Sequence, residues 1–217
     1  MNVLATDPEI GEAFCRKILS VLLQRTIGKV RVVAQRAIPA LTPNNRGIRM
    51  DVEVEELWVD DKDNLSTMNI YDLEPHLKDY VNLPKHNRFF QAKIDSRYMK
   101  CGENDFSKMP NLYVITILNY DPFGYDYMMY TVRNQCMEIP ELKYIDGLQF
   151  IYFNTQGTKG GNQEIGELLR FIQNSTKSNA TSESTRELYE YVSRIKVQPE
   201  VRLEYMRFDE YVALERW

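Results

Sequence analysis

The chain has 217 residues, 27 Lys and Arg against 31 Asp and Glu for a net charge of −4, and a 43% hydrophobic content. That length suits one large domain or two small ones, and the composition excludes wholesale disorder. The most apolar stretch, Ala13 to Leu23, is broken by Arg16 and Lys17, and Met1 to Asp7 lacks the charged head and apolar run of a signal peptide. A cytoplasmic protein with no membrane association is therefore expected. Three widely spaced cysteines, Cys15, Cys101 and Cys136, argue against a disulfide framework and against a cysteine zinc site.

Charge is unevenly distributed. From Ala13 through Met50 there is no Asp or Glu, while Arg16, Lys17, Arg25, Lys29, Arg31, Arg36, Arg46 and Arg49 fall there. Acids then cluster from Asp51 to Asp63, and Lys85 to Lys100 is basic apart from Asp95. Basic segments thus bracket the acidic ones, an arrangement able to hold a phosphate backbone and equally open to reading as solvated faces.

In chain order, Asp7-Pro8-Glu9 is a helix start, and Phe14, Ile18, Val21 and Leu22 carry the helix to about Gln24. Val30 to Ile38 reads as a strand and Thr42 to Gly47 as a turn cluster. Gly47 to Val54 and Asn69 to His76 alternate apolar and polar residues, the pattern of half-buried strands. Their compact connection, Asp60 to Ser66, suits antiparallel pairing. Pro84 opens a second helix with Phe90 and Ile94 toward the sheet. Leu112 to Leu118 reads as a central buried strand, Asp121 to Gly124 as a turn, and Met128 to Val132 and Leu148 to Phe153 as strands. Glu164 to Gln173 is an amphipathic helix, residues 174–185 read as a Ser/Thr/Asn-rich linker, and residues 186–217 as a helical extension. The order predicts an α/β fold with a mixed β-sheet flanked by helices.

Asp51, Glu53 and Glu55 share one face of the first acidic strand, with Arg49; Asp72, Glu74 and His76 share a face of the second. If the strands pair, Asp51 and Glu74 converge, Asp51 lying toward the C-terminal part of its strand's paired region. Two convergent carboxylates suit a hard divalent cation. Glu53, Glu55 and Asp72 are expected in solvent.

The segments Gly47-Ile48-Arg49-Met50-Asp51-Val52, Tyr71-Asp72-Leu73-Glu74-Pro75, Arg88-Phe89-Phe90-Gln91 with Ile94-Asp95, Asp121-Pro122-Phe123-Gly124 with Tyr130-Thr131, and Asn154-Thr155-Gln156-Gly157 together resemble the PD-(D/E)XK nuclease-family transposases, related to recombination-promoting nucleases. The resemblance covers nearly the whole chain, with residues 1–173 as the nuclease-like domain. It implies a restriction-endonuclease-like core and Mg2+-dependent hydrolysis of DNA phosphodiesters, with Mn2+ as a substitute. By position, Asp51 and Glu74 look like the metal-binding acids, and His76 stands where that pattern has Lys or Gln. Glu12, or else Glu9, looks like the acid that some members place on the first helix, and Gln91 like a polar residue aimed at the site. Arg49 and Arg88 are the expected phosphate contacts. DNA is the expected partner, with a homodimer as one assembly. A catalytically inactive relative that binds nucleic acid or a protein, and a nuclease acting on RNA, are the alternatives.

Overall fold

The computed structural model describes residues 4–5, 7, 9–38, 48–59, 65–76, 82–99, 102 and 104–197. Within them lie helices α1 (Gly11–Leu23), α2 (Leu83–Asp95), α3 (Gln163–Gln173) and α4 (Glu183–Lys196). The strands are β1 (Val30–Ala34), β2 (Ala37–Ile38), β3 (Ile48–Arg49), β4 (Val52–Val59), β5 (Leu65–His76), β6 (Asn111–Leu118), β7 (Met129–Val132) and β8 (Leu148–Asn154). Six strands form one mixed sheet in the order β1-β4-β5-β6-β8-β7, and β2 pairs with β3 apart from it. β5, β6 and β8 are parallel, and the other pairs in the large sheet are antiparallel. This is the α/β arrangement expected of a restriction-endonuclease-like core.

Alternation along the strands gives the sheet two apolar faces. Val52, Val54, Tyr71, Leu73, Ile115, Ile117, Ile151 and Phe153 pack with α1, α3 and α4. Ile70, Leu112 and Val114 point the other way and pack with Phe90 and Ile94 of α2. The helical stripe expected on α2 therefore faces the sheet. α4 begins at Glu183 with a Ser182 capping box, and its Leu188 and Val192 join the main core. Residues 198–217 of the expected helical extension lie outside the described residues, as does the Thr42 to Gly47 turn cluster.

Pairing across β1, β4 and β5 explains the charge segregation of the sequence. Antiparallel register sets Arg31 opposite Glu55 and Val33 opposite Glu53. Arg31 pairs with Glu55, Arg36 reaches Glu53 at 3.0 Å and Glu55 at 3.3 Å, and Arg97 pairs with Glu53. On the opposite face Glu56 accepts from Gly28 N at 2.8 Å, Asn69 Nδ2 at 2.8 Å, Arg25 at 3.2 Å and the Tyr71 hydroxyl. The acid-free stretch thus supplies cations to buried glutamates. Glu53 and Glu55, expected in solvent, are buried, and arginines neutralise them there.

Removing one partner of a buried ion pair leaves a charge uncompensated. Arg97→Ala should lower stability in urea unfolding by about 3 kcal/mol. Adding Glu53→Gln should recover about half of that loss. A loss below about 0.5 kcal/mol would show the Arg97–Glu53 pair to be dispensable.

Candidate functional site

β4 and β5 pair with Val52 opposite Leu73 and Glu53 opposite Asp72. Asp51, just before β4, accordingly stands beside Glu74, near the end of β5. The Asp51 N–H donates to Glu74 Oε1 at 2.9 Å. The Asp51 carbonyl accepts from Gln35 N at 2.8 Å, and Met50 N donates to the Arg36 carbonyl at 2.9 Å. The corner between β1 and β2 thereby holds Asp51 in place, with Gln35 in the left-handed region at φ 51°. The two acids converge as expected, but Asp51 precedes its strand's paired region rather than lying toward its C-terminal part. Antiparallel pairing sets the start of β4 against the end of β5.

The first turns of α2 close over this end of the sheet. Asn87, 1% exposed, donates to Thr116 Oγ1 at 2.9 Å. Thr116 is the β6 partner of Glu74. The preceding residue, His86, meets His76 edge to face, with ring centroids 5.6 Å apart. His86 also lies 4.2 Å from the Phe90 ring and 3.1 Å through Nδ1 from Asn87 Oδ1. The site thus brings the chain's two histidines together. They lie ten positions apart, with no motif spacing to connect them, so sequence periodicity does not mark His86 as a site residue.

The electrostatics separate the site into neutralised and unneutralised acids. Burial raises the Glu53 carboxyl, and Arg97 and Arg36 pull it back. Asp72 is fully buried, not solvated as expected, and among the described residues no donor faces either of its oxygens. Burial and then the Glu74 charge hold Asp72 well above the usual carboxylate range. Glu74 is pushed up to about 7, first by burial and then by the Asp51 charge, against the lowering hydrogen bond from Asp51 N–H. Burial lowers His76, His86 lowers it further, and Asp51 opposes both. At neutral pH His76 is therefore an uncharged imidazole, able to accept a proton.

The remaining expected residues lie elsewhere. Glu12 is exposed on α1, whose buried side packs on the opposite face of the sheet. Glu9 is paired with Arg194 at 3.5 Å. Arg88 is exposed on α2. Gln91 bonds Asp95 one turn along the helix. Arg49 ends β3, and its side chain lies outside the described residues. Asp121 of the Asp-Pro-Phe-Gly segment plays a structural part, accepting from Phe123 N at 3.0 Å, Asp126 N at 2.5 Å and the Tyr130 hydroxyl at 2.8 Å. That bonding folds the turn between β6 and β7.

Among the described residues, no group of three or more His, Cys, Asp or Glu is arranged to hold a metal ion. Nor is any helix among them long and apolar enough to cross a membrane. No family model matches the chain, and no curated protein or solved structure is significantly similar to it.

A raised carboxyl stabilises the fold below its unfolded pKa, and that contribution is lost as pH rises through the folded value. For Glu74 the window runs from the ordinary 4.5 up to about 7. The lowered His76 acts in the opposite sense, losing stability as pH falls below 6.5. Subtracting Glu74→Gln isolates the Glu74 contribution. In EDTA, wild type should lose melting temperature relative to Glu74→Gln between about pH 5 and about pH 8. Parallel melting curves across that range would show that Glu74 has no raised pKa.

Proposed function

We propose that this chain is a metal-dependent DNA endonuclease that hydrolyses phosphodiester bonds, linked to recombination or transposition, as its resemblance to the PD-(D/E)XK nuclease-family transposases implies. One observation carries the reading. Two acids from neighbouring strands, Asp51 and Glu74, meet at the end of a mixed sheet, joined by the 2.9 Å bond from Asp51 N–H to Glu74 Oε1, beside an Asp72 carboxyl with no donor among the described residues. A surplus of buried oxygen donors without matching basic side chains is the chemistry of a hard divalent ion, and Mg2+ keeps several waters, so two protein carboxylates suffice.

Asp51 and Glu74 would hold the ion. When bound, Mg2+ supplies charge neutralisation at the phosphate and a lowered pKa for water. His76, uncharged at neutral pH, orients the attacking water or takes its proton. Arg88, exposed on α2, meets the phosphate backbone. Arg49 is given the same role from its sequence position. A second reading, a non-cleaving protein that binds nucleic acid or a protein partner, is favoured by His76 itself, which stands where the resemblance has Lys or Gln.

Matched DNA and RNA substrates with Mg2+ or EDTA separate these readings. DNA cleavage that needs Mg2+ and falls about 100-fold or more in Glu74→Gln and Asp51→Asn is the expected result. RNA cleavage alone would move the substrate class. No cleavage by wild type, together with DNA binding, would establish the non-cleaving reading. Arg88→Gln should flatten the salt dependence of DNA affinity by roughly one unit of slope. An unchanged slope would remove Arg88 from the interface.

A further inference from the structure

We propose that Tyr125 and Tyr127 form a stacking platform for unpaired nucleobases, so that the nucleic acid reaching the acidic site is held there as a single strand. The proposal rests on the nuclease reading of Asp51 and Glu74 and deepens it by naming the form of the substrate.

The platform belongs to the connection between β6 and β7. In the parallel part of the sheet His76 is opposite Leu118, and Leu118 is opposite Asn154, so β5, β6 and β8 end level with one another. The connection leaves from Leu118 and closes on Asn154, whose N–H donates to the Met128 carbonyl at 2.9 Å. It therefore stands at the end of the sheet that carries Glu74 and His76. β8 is two strands from β5, about 10 Å at ordinary strand spacing. Open α/β sheets commonly bind ligands beyond the C-terminal ends of their strands.

Two aspartates hold this loop in one shape. Asp121 accepts from Phe123 N, Asp126 N and the Tyr130 hydroxyl. Asp126 accepts from Thr158 N at 3.2 Å and from the Thr158 hydroxyl, and its carbonyl accepts from Lys159 N at 2.9 Å. Tyr127 forms a bridge with Lys159, and its ring lies so close on Gly160 that a Cβ there would come within 2.8 Å of the ring's Cδ1. Within this frame Tyr125 stays 68% exposed and Tyr127 46% exposed. Rings already fixed in place lose little entropy when a planar group stacks on them.

The charge around the rings selects the occupant. Both loop carboxylates are turned onto donors of the loop and its neighbour. Lys159 is exposed, with Nζ 3.2 Å from the Tyr125 carbonyl. A cation beside two exposed aromatic rings matches a strand that carries flat bases and phosphates, the combination by which proteins hold single-stranded nucleic acid. Bases inside a duplex are stacked on each other and present only their edges in the grooves, so pairing denies them this contact.

Fluorescence anisotropy in EDTA reads the contact without metal or cleavage. The probe is one labelled mixed-sequence oligonucleotide, offered as single-stranded DNA, as single-stranded RNA and as a DNA duplex. Tyr125→Ala and Tyr127→Ala should each weaken single-strand binding about tenfold, with the Phe variants within about threefold of wild type and duplex affinity unchanged. If Tyr127→Ala fails to fold, Tyr125→Ala carries the test, because that ring is the more exposed. Loss on both single strands, or on DNA alone, supports the platform and the DNA reading. Loss on RNA alone supports the platform and moves the substrate class to RNA. Unchanged single-strand affinity in the Ala variants, an equal loss on duplex, Phe variants as weak as Ala, or no single-strand binding by wild type would each overturn the proposal. Mg2+-dependent cleavage with binding indifferent to both tyrosines would leave the nuclease reading standing without the platform. The expected binding pattern with no cleavage would do the reverse.

Discussion

Burial of Asp72 and Glu74 side by side, with the nearby arginines turned to other acids, is the constraint around which this end of the molecule is built. Contrast with the other buried acids makes the point. Glu56 collects bonds from Gly28, Asn69, Tyr71 and Arg25, and despite burial its pKa lies below the ordinary value. Glu53 and Glu55 have arginines. Asp72 has none of these among the described residues. Two like charges buried side by side repel more strongly than they would in water. Either a proton or a cation must resolve that conflict, and a site that can exchange one for the other is suited to binding divalent ions.

The surroundings of the two acids are correspondingly well tied. β4 and β5 lie inside the sheet, α2 packs on Ile70, Leu112 and Val114, and Asn87 ties α2 to Thr116, the β6 partner of Glu74. Asp51 is held through its backbone on both sides, by Gln35 and by Glu74. The histidines sit at the same end, where β5 finishes and α2 begins. A carboxylate pair, an uncharged imidazole and an exposed Arg88 on α2 are the parts to which the proposed function assigns phosphodiester hydrolysis.

Most of the framework was legible in the chain because it depends on periodicity. The alternation of β4 and β5, the unbroken apolar run of β6 and the Phe90–Ile94 stripe of α2 are local patterns that packing left intact. The meeting of Asp51 with Glu74 followed from antiparallel pairing. The burial of Glu53, Glu55 and Asp72 did not follow, because alternation assigns a polar face to solvent unless a helix is known to cover it. The arginines that neutralise Glu53 are Arg36, at the β1–β2 corner, and Arg97, just beyond α2, two distant points in the chain. Their convergence is tertiary information. His86 escaped for the same reason, since its tie to His76 runs through space and follows no spacing rule. Three cations of the basic stretch before Met50, Arg25, Arg31 and Arg36, are engaged with the glutamates of β4.

Crystals grown without metal and soaked in Mn2+ provide the most direct measurement, because anomalous scattering locates the ion without any assumption about activity. An anomalous peak between Asp51 and Glu74, with a carboxylate oxygen of each roughly 2–2.6 Å away, is the expected result. Saturating Mn2+ with no peak there, or a peak held by other side chains while Asp51 and Glu74 keep their present contact, would contradict the assignment of this acidic pair as a cation site.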